Sequence, residues 1–190
     1  MSRRSEPSWK AVGYAPPSPQ YVKRGVMLRY GIASGVWIES GTFRGATTEF
    51  LANSASHVYS IEPSAKLARQ AQKRFKPNQK VTIIEGLSED ILPDLLKDQH
   101  GKVSFWLDGH WSGGTTFKGP KDTPIREELL AIEQNLDHLE KITVLIDDVR
   151  CFDPANPEYS EYPTRSYLVA WADTNHLSWT IEQDIFVAWN

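Results

Sequence analysis

A single cysteine, Cys151, stands in 190 residues. An intrachain disulfide is therefore excluded, and so is a metal centre built on cysteines. The five histidines show no spacing that would hold zinc. No apolar run approaches the ~18 residues a membrane span needs. None follows the basic start Met1-Ser2-Arg3-Arg4-Ser5 either, so no secretory signal is read there. An excess of positive charge is also missing: 21 Lys and Arg against 24 Asp and Glu leave a net charge of −3. That is not the broad basic surface of a nucleic-acid binder. What is present is 40% hydrophobic and 24% charged residues, ordinary for a soluble globule with enough chain for one sizeable core. The expectation is a cytoplasmic protein with a small-molecule partner, no nucleic acid and no membrane, and with a homodimer left open. Tryptophan is plentiful, at seven. Trp37, Trp106 and Trp189 lie in strand-like runs and are predicted core; Trp9 and Trp111 lie in loop-like surroundings.

Residues 1–20 carry Pro7, Pro16, Pro17 and Pro19 between polar spacers, which predicts an extended or disordered arm. Residues 21–34 read as a helix stopped near Gly35. Then apolar, β-prone runs alternate with helical stretches. Strands are predicted to end at Glu39, Glu62, Gly86, Asp108 and Asp147-Asp148. Helices are predicted over 46–52, 63–75, 88–97, 124–138 and 164–175. Two last runs, 177–181 and 185–189, are close enough to pair as a hairpin. Alternation of this kind predicts an α/β fold: a Rossmann-like, doubly wound, mostly parallel seven-stranded sheet with a C-terminal antiparallel hairpin. The strands are continuously apolar, as both covered faces require. Ligands of such sheets bind beyond the C-terminal strand ends, where Glu39, Glu62, Asp108 and Asp147 fall, with Asp148 beside the last.

The stretch VWIESGTFRGATTEFLA (36–52) gives the first strand, a turn and a helix. Gly41 and Gly45 allow backbone to approach a ligand, with Thr42 between them. The helix start offers free N–H groups. The turn reads E-x-G-x-x-x-G and not G-x-G-x-x-G. Glu39 fits an ammonium better than a pyrophosphate, which points to S-adenosylmethionine rather than NAD. Glu62, about 20 residues past the turn, is placed to accept hydrogen bonds from a ribose; the alternative is a solvated helix cap. Gly86 and Ser88 border an adenine, or else Ser88 caps its helix. Asp108, Asp147 and Asp148 come from neighbouring strand ends. Carboxylates in such a group suit Mg²⁺; otherwise one caps a helix and another binds backbone amides. His110 is a general base or a pocket wall beside Trp111. Cys151 reads as a half-buried thiol, not a nucleophile.

With these motifs placed, the chain resembles class I S-adenosylmethionine-dependent methyltransferases. Within them it is most similar to the metal-dependent O-methyltransferases of the catechol, caffeoyl-CoA and macrocin types. The resemblance covers about residues 36–150. It rests on Glu39 to Gly45 with Arg44-Gly45, on Ile61-Glu62, on VTIIEGLSEDILP from Val81 to Pro93, on LDGHW from Leu107 to Trp111, and on Asp147-Asp148. It implies a methyltransferase-like domain over 21–190 and cofactor contacts at Glu39, Gly41, Thr42, Gly45, Glu62, Gly86, Ser88, Asp108 and Trp111. It also implies Mg²⁺ on Asp108, Asp147 and Asp148, with Asp108 catalytic; His110 is the nearest titratable group to serve as the catalytic base. The lysine that the catechol type uses as base is replaced by Trp111, and the loop 112–123 is longer than in that type. The expected activity is methyl transfer to a small hydroxylated acceptor, a sugar or phenolic diol. The alternative is an accessory protein that binds the cofactor without turnover. A Rossmann dehydrogenase ranks third, because its glycine spacing is not met.

Overall fold

The computed structural model describes residues 5–109 and 122–190. Each predicted apolar run becomes a strand: β1 (Val36–Ser40), β2 (His57–Glu62), β3 (Val81–Glu85), β4 (Gly101–Leu107), β5 (Leu139–Ile146), β6 (Ser178–Glu182) and β7 (Ile185–Trp189). They form one sheet in the order β3-β2-β1-β4-β5-β7-β6. The first five pair in parallel, and β7 runs antiparallel to both β5 and β6. The sequence order reverses between β1 and β4, the place where open α/β sheets form a crevice.

Both faces of the sheet are apolar, and alternate residues divide between two cores. Val103, Phe105 and Leu107 of β4 join Val144 and Ile146 of β5 in one core, closed by Leu129, Ile132 and Leu168. Trp37, Trp106, Leu145 and Val187 form the other, with Val26, Met27 and Leu51. The covering helices are α2 (Gln20–Tyr30), α3 (Ala46–Ala52), α4 (Ala65–Phe75), α5 (Ser88–Lys97), α6 (Ile125–Glu133) and α7 (Arg165–Thr174), preceded by α1 (Glu6–Ala11). Trp37 and Trp106 are buried as expected, while Trp189 is only partly covered.

The arm is corrected. Residues 6–11 form a helix, with Pro7 in its first turn and Glu6 at its N-terminus, both favourable there. Trp9 is buried, donates its indole N–H to Ala15 O at 3.0 Å, and meets the Tyr14 ring edge-on. One aromatic side chain thus gives the segment a small core of its own. Ser18 then donates to Gln183 O in the β6–β7 turn at 3.1 Å. Helix ends shift too. α2 stops at Tyr30, because Gly31 lets the chain turn where a Cβ would strike the Trp37 ring at 2.2 Å. α4 starts at Ala65, with Ser64 and not Pro63 at its cap. α6 ends at Glu133 and a separate 3-10 turn follows at Leu136–His138.

Candidate functional site

Parallel pairing brings the strand ends level. Ser40 stands opposite Leu107, and Leu107 opposite Ile146. The backbone continues this ladder past the strands, with Asp108 N–H donating to Ser40 O and Asp147 N–H to Leu107 O. Glu39, Glu62, Asp108, Asp147 and Asp148 therefore collect along one edge of the sheet.

The turn after β1 is held by its neighbours. Gly41 and Thr42 both donate to Ile61 O of β2, at 2.9 and 3.2 Å. Gly41 has φ +90, and a Cβ there would sit 2.6 Å from Asp108 O; at Gly45, φ +74, it would meet the Phe75 ring at 2.5 Å. Both glycines are thus required by the close approach of this chain's own elements. Thr42 is fully buried, with its hydroxyl 2.6 Å from the Ser60 hydroxyl. Glu62 accepts from Phe43 N–H at 2.7 Å through one oxygen and from Ser64 N–H at 2.9 Å through the other. A carboxylate oxygen has a second acceptor site, so Glu62 keeps capacity for a ribose hydroxyl while it pins the turn. Gly86 lies beside it, donating to Glu62 O at 3.1 Å. Ser88 is buried in the first turn of α5, whose cap is Leu87, so Ser88 is not the capping residue. A cleft lined by Phe43, Arg44, Gln70, Ala71 and Arg74 opens beside the turn.

Glu39 is fully buried. Thr48 and Ser60 donate to one of its oxygens at 2.5 and 2.6 Å, and the other oxygen has no partner among the described residues. Burial pushes its carboxyl up to about 8; the two hydroxyls pull it down, and Asp108 and Glu62 push it further up. An orphaned buried acceptor fits a cationic ligand group such as an ammonium.

Carboxylate oxygens of Asp108, Asp147 and Asp148 lie within 4.8 Å of one another. Asp148 takes a left-handed backbone, φ 59, which aspartate tolerates better than most residues. Its N–H donates to Asp147 Oδ1 at 2.8 Å. The residue that sequence reasoning missed is Lys23. This residue of α2 is 8% exposed. Its ammonium pairs with Asp147 Oδ2 and, at 3.2 Å, with Asp148 Oδ1. Arg150 also reaches Asp148 Oδ1, at 2.6 Å, and pairs with Asp184. Burial opposes the Lys23 charge, but Asp147, Asp148 and Asp108 outweigh it and hold the ammonium protonated above its ordinary range. Burial, then Asp108 and Asp148, push Asp147 upward against the pull of Lys23; the ammonium contact decides for an ionised pair. The spacing of the oxygens suits a divalent cation. The charges already there do not, since the Lys23 ammonium and the Arg150 guanidinium stand against Asp147 and Asp148 and would repel it. As folded, the cluster does not fit Mg²⁺.

His110 and Trp111 lie outside the described residues, so the expectations on them have no geometry here. Gly109 and Asp147 line a small cavity with Glu128, Phe152 and Tyr162. Cys151 is buried, more so than expected, and burial pushes its thiol up to about 11. A nucleophilic role is not supported by such a thiol.

No family model matches the chain, and no curated protein does. Solved structures do. The N-methyltransferase NodS of Bradyrhizobium japonicum, in complex with S-adenosyl-L-homocysteine, superposes with a TM-score of 0.57 at 12% identity, covering 95% of this chain and 96% of that one. SMU.1697c of Streptococcus mutans, also in complex with SAH, gives 0.56 at 14% identity over 92% and 98%. An rRNA methylase of Streptococcus thermophilus gives 0.52 at 14% over 92% and 97%. The chain therefore has the Rossmann-like fold found in S-adenosylmethionine-dependent methyltransferases. The comparisons lend no support to the metal-dependent O-methyltransferase subtype. Nor do they support the expected absence of a nucleic-acid partner, since rRNA methylases share the fold. Among the described residues, no helix is long and apolar enough to cross a membrane.

Proposed function

We propose that residues 21–190 form a methyltransferase domain that transfers the methyl group of S-adenosylmethionine to a hydroxyl of a small acceptor, a sugar or phenolic diol. One observation carries the reading: a glycine turn pinned by Glu62 and a cluster of three aspartates occupy adjacent strand ends at the sheet's crevice. Binding of S-adenosylhomocysteine to NodS, on the same fold, supports it.

Each residue has a stated part. Glu39 offers its orphaned oxygen to the amino-acid ammonium, beside the turn of Gly41, Thr42 and Gly45. Glu62 accepts from the ribose hydroxyls. Gly86 and Ser88 border the adenine, with Trp111 as a wall. Bound S-adenosylmethionine supplies an electrophilic sulfonium methyl. Asp108, Asp147 and Asp148 hold the acceptor's hydroxyls, and His110 takes the proton from the attacking oxygen. Alignment and exclusion of water are the protein's main contributions. Mg²⁺ would reach Asp147 only by displacing Lys23, and no step is assigned to it.

The test is transfer of labelled methyl to sugar diols, catechols and rRNA, each in EDTA and in Mg²⁺. Product on a small diol is the expected result; product on rRNA alone would replace the acceptor class. S-adenosylhomocysteine binding without transfer to any acceptor would favour the accessory protein. His110→Ala is expected to lower kcat by about 10²–10⁴-fold with S-adenosylhomocysteine affinity unchanged.

A further inference from the structure

We propose that Lys23 is the built-in cation of the Asp108–Asp147–Asp148 cluster, fixing Asp147 and Asp148 at the acceptor end and barring a divalent cation from them. The acceptor role of the cluster rests on the function proposed above; the exclusion of metal does not.

A lysine is rarely this buried unless paired. Taking its charge out of water is costly, and removing one partner of such a pair costs more than the pair contributes. Docking of α2 does not require that cost. The helix has Val26 and Met27 in the core. Gln20 reaches Thr47 at 3.3 Å and Arg24 reaches Ala46 O at 3.1 Å. Arg29 and Tyr30 hold Glu182 at 2.6 and 3.0 Å. An apolar side chain of the same length would pack at position 23 without a charge. The ammonium is explained by what it meets: two carboxylates at the end of β5, with Asp108 adding to the same negative field.

The same contacts exclude a metal. A divalent cation draws carboxylate oxygens to about 2.0–2.6 Å. The Lys23 ammonium already stands on Asp147 Oδ2 and lies 3.2 Å from Asp148 Oδ1. The remaining Asp147 oxygen holds the Asp148 N–H at 2.8 Å. A metal on Asp147 Oδ2 would stand within a few ångströms of the ammonium, and the two cations repel each other. Lys23 is thus a positioning residue: it sets the two aspartates and supplies, from α2, the charge that a metal would otherwise bring.

Mn²⁺ alone is the probe, followed by calorimetry and by the Mn²⁺ spin-resonance signal, on the full chain. Lys23→Met is expected to bind Mn²⁺ at least tenfold more tightly than the native chain. Adding Asp147→Asn should abolish that gain, and Lys23→Arg should restore exclusion. A lysine that merely packs would leave all four affinities alike. Lys23→Gln carries the same comparison where Lys23→Met does not fold. Equal Mn²⁺ affinity with and without Lys23, tight or absent, overturns the proposal. S-adenosylhomocysteine binding is measured on the same samples. Its absence throughout would sink the methyltransferase reading while the Mn²⁺ result still decides the role of Lys23.

Discussion

Two groups of acids share one edge of the sheet and are neutralised by different means. At the cofactor end, Glu39 and Glu62 are satisfied by neighbours: hydroxyls of Thr48 and Ser60 and backbone amides of Phe43 and Ser64, none more than 21 residues away. At the acceptor end, Asp147 is met by Lys23, 124 residues earlier in the chain. Dipoles stabilise the first group without adding charge, and leave Glu39 with an open acceptor. Full charges from another element stabilise the second. The cofactor end is therefore pre-formed by its own βαβ unit, whereas the acceptor end depends on the docking of α2.

The largest effect that would break this contrast is expected at Asp147. Asp147→Ala leaves the Lys23 ammonium with only the longer 3.2 Å contact to Asp148, in a site where its side chain is 10% exposed. Losing one partner of a buried pair costs about 3–5 kcal/mol. Urea unfolding should show that loss, and Lys23→Met/Asp147→Asn should recover much of it. An Asp147→Ala protein as stable as the native chain would mean that the acceptor end is no more dependent on α2 than the cofactor end is.

Glu39 offers the next largest effect, with the opposite pH logic from a salt bridge. Its ordinary value is 4.5, and burial raises it to about 8 in the fold. Between these values the folded state holds a proton that the unfolded chain has lost. Stability from Glu39 is thus intact below 4.5, falls as pH rises and is fully lost above 8. Glu39→Gln should match the native chain near pH 4 and exceed it above pH 8 by a few kcal/mol. Denaturation midpoints across that range would check it. A pH-independent difference would mean that Glu39 is ionised in the fold and the two ends are alike.

The same contrast decides what was legible in the sequence. Val36 to Ala52 announces strand, turn and helix through local chemistry, and the strand ends at Glu62, Asp108 and Asp147 follow from uninterrupted apolar runs. The mostly parallel sheet and the hairpin were readable because alternation and a short linker leave few topologies; the strand order was not. Lys23 was not readable. Within its helix it is one of several basic residues, and only the three-dimensional docking of α2 separates it from Arg24 and Arg29. The mistaken arm had a similar cause: four prolines read as extended chain, and the single buried Trp9 outweighed them. The glycines of the turn were located correctly, but their immediate reason is contact with Asp108 and Phe75, which spacing alone does not show.

Glu62→Ala tests the cofactor end at smaller cost. Losing hydrogen bonds to a charged acceptor costs about 1.5–3 kcal/mol, so S-adenosylhomocysteine should bind at least tenfold more weakly by calorimetry. Two contributions are separable. Glu62→Gln keeps one acceptor oxygen for Phe43 or Ser64, so a partial recovery assigns part of the loss to the turn itself. Tight NAD binding with no S-adenosylhomocysteine binding would refute the cofactor assignment outright.

The smallest effect sharpens the contrast from the other end of α2. Arg29 pairs with Glu182 at 2.6 Å, but its side chain is 64% exposed. An exposed pair is screened by water and contributes about 0–1 kcal/mol. Arg29→Ala should therefore shift urea unfolding by no more than that and leave the exclusion of Mn²⁺ intact. The two ends of one helix would then differ by several-fold in what they stabilise, although both are lysine- or arginine-carboxylate pairs. Burial would be the cause, since the Lys23 partners Asp147 and Asp148 have side chains only 2% and 12% exposed. If Arg29→Ala instead admitted Mn²⁺, the Lys23 contact would depend on the whole helix staying docked, and the cation of the acidic cluster would be held there by α2 as a unit.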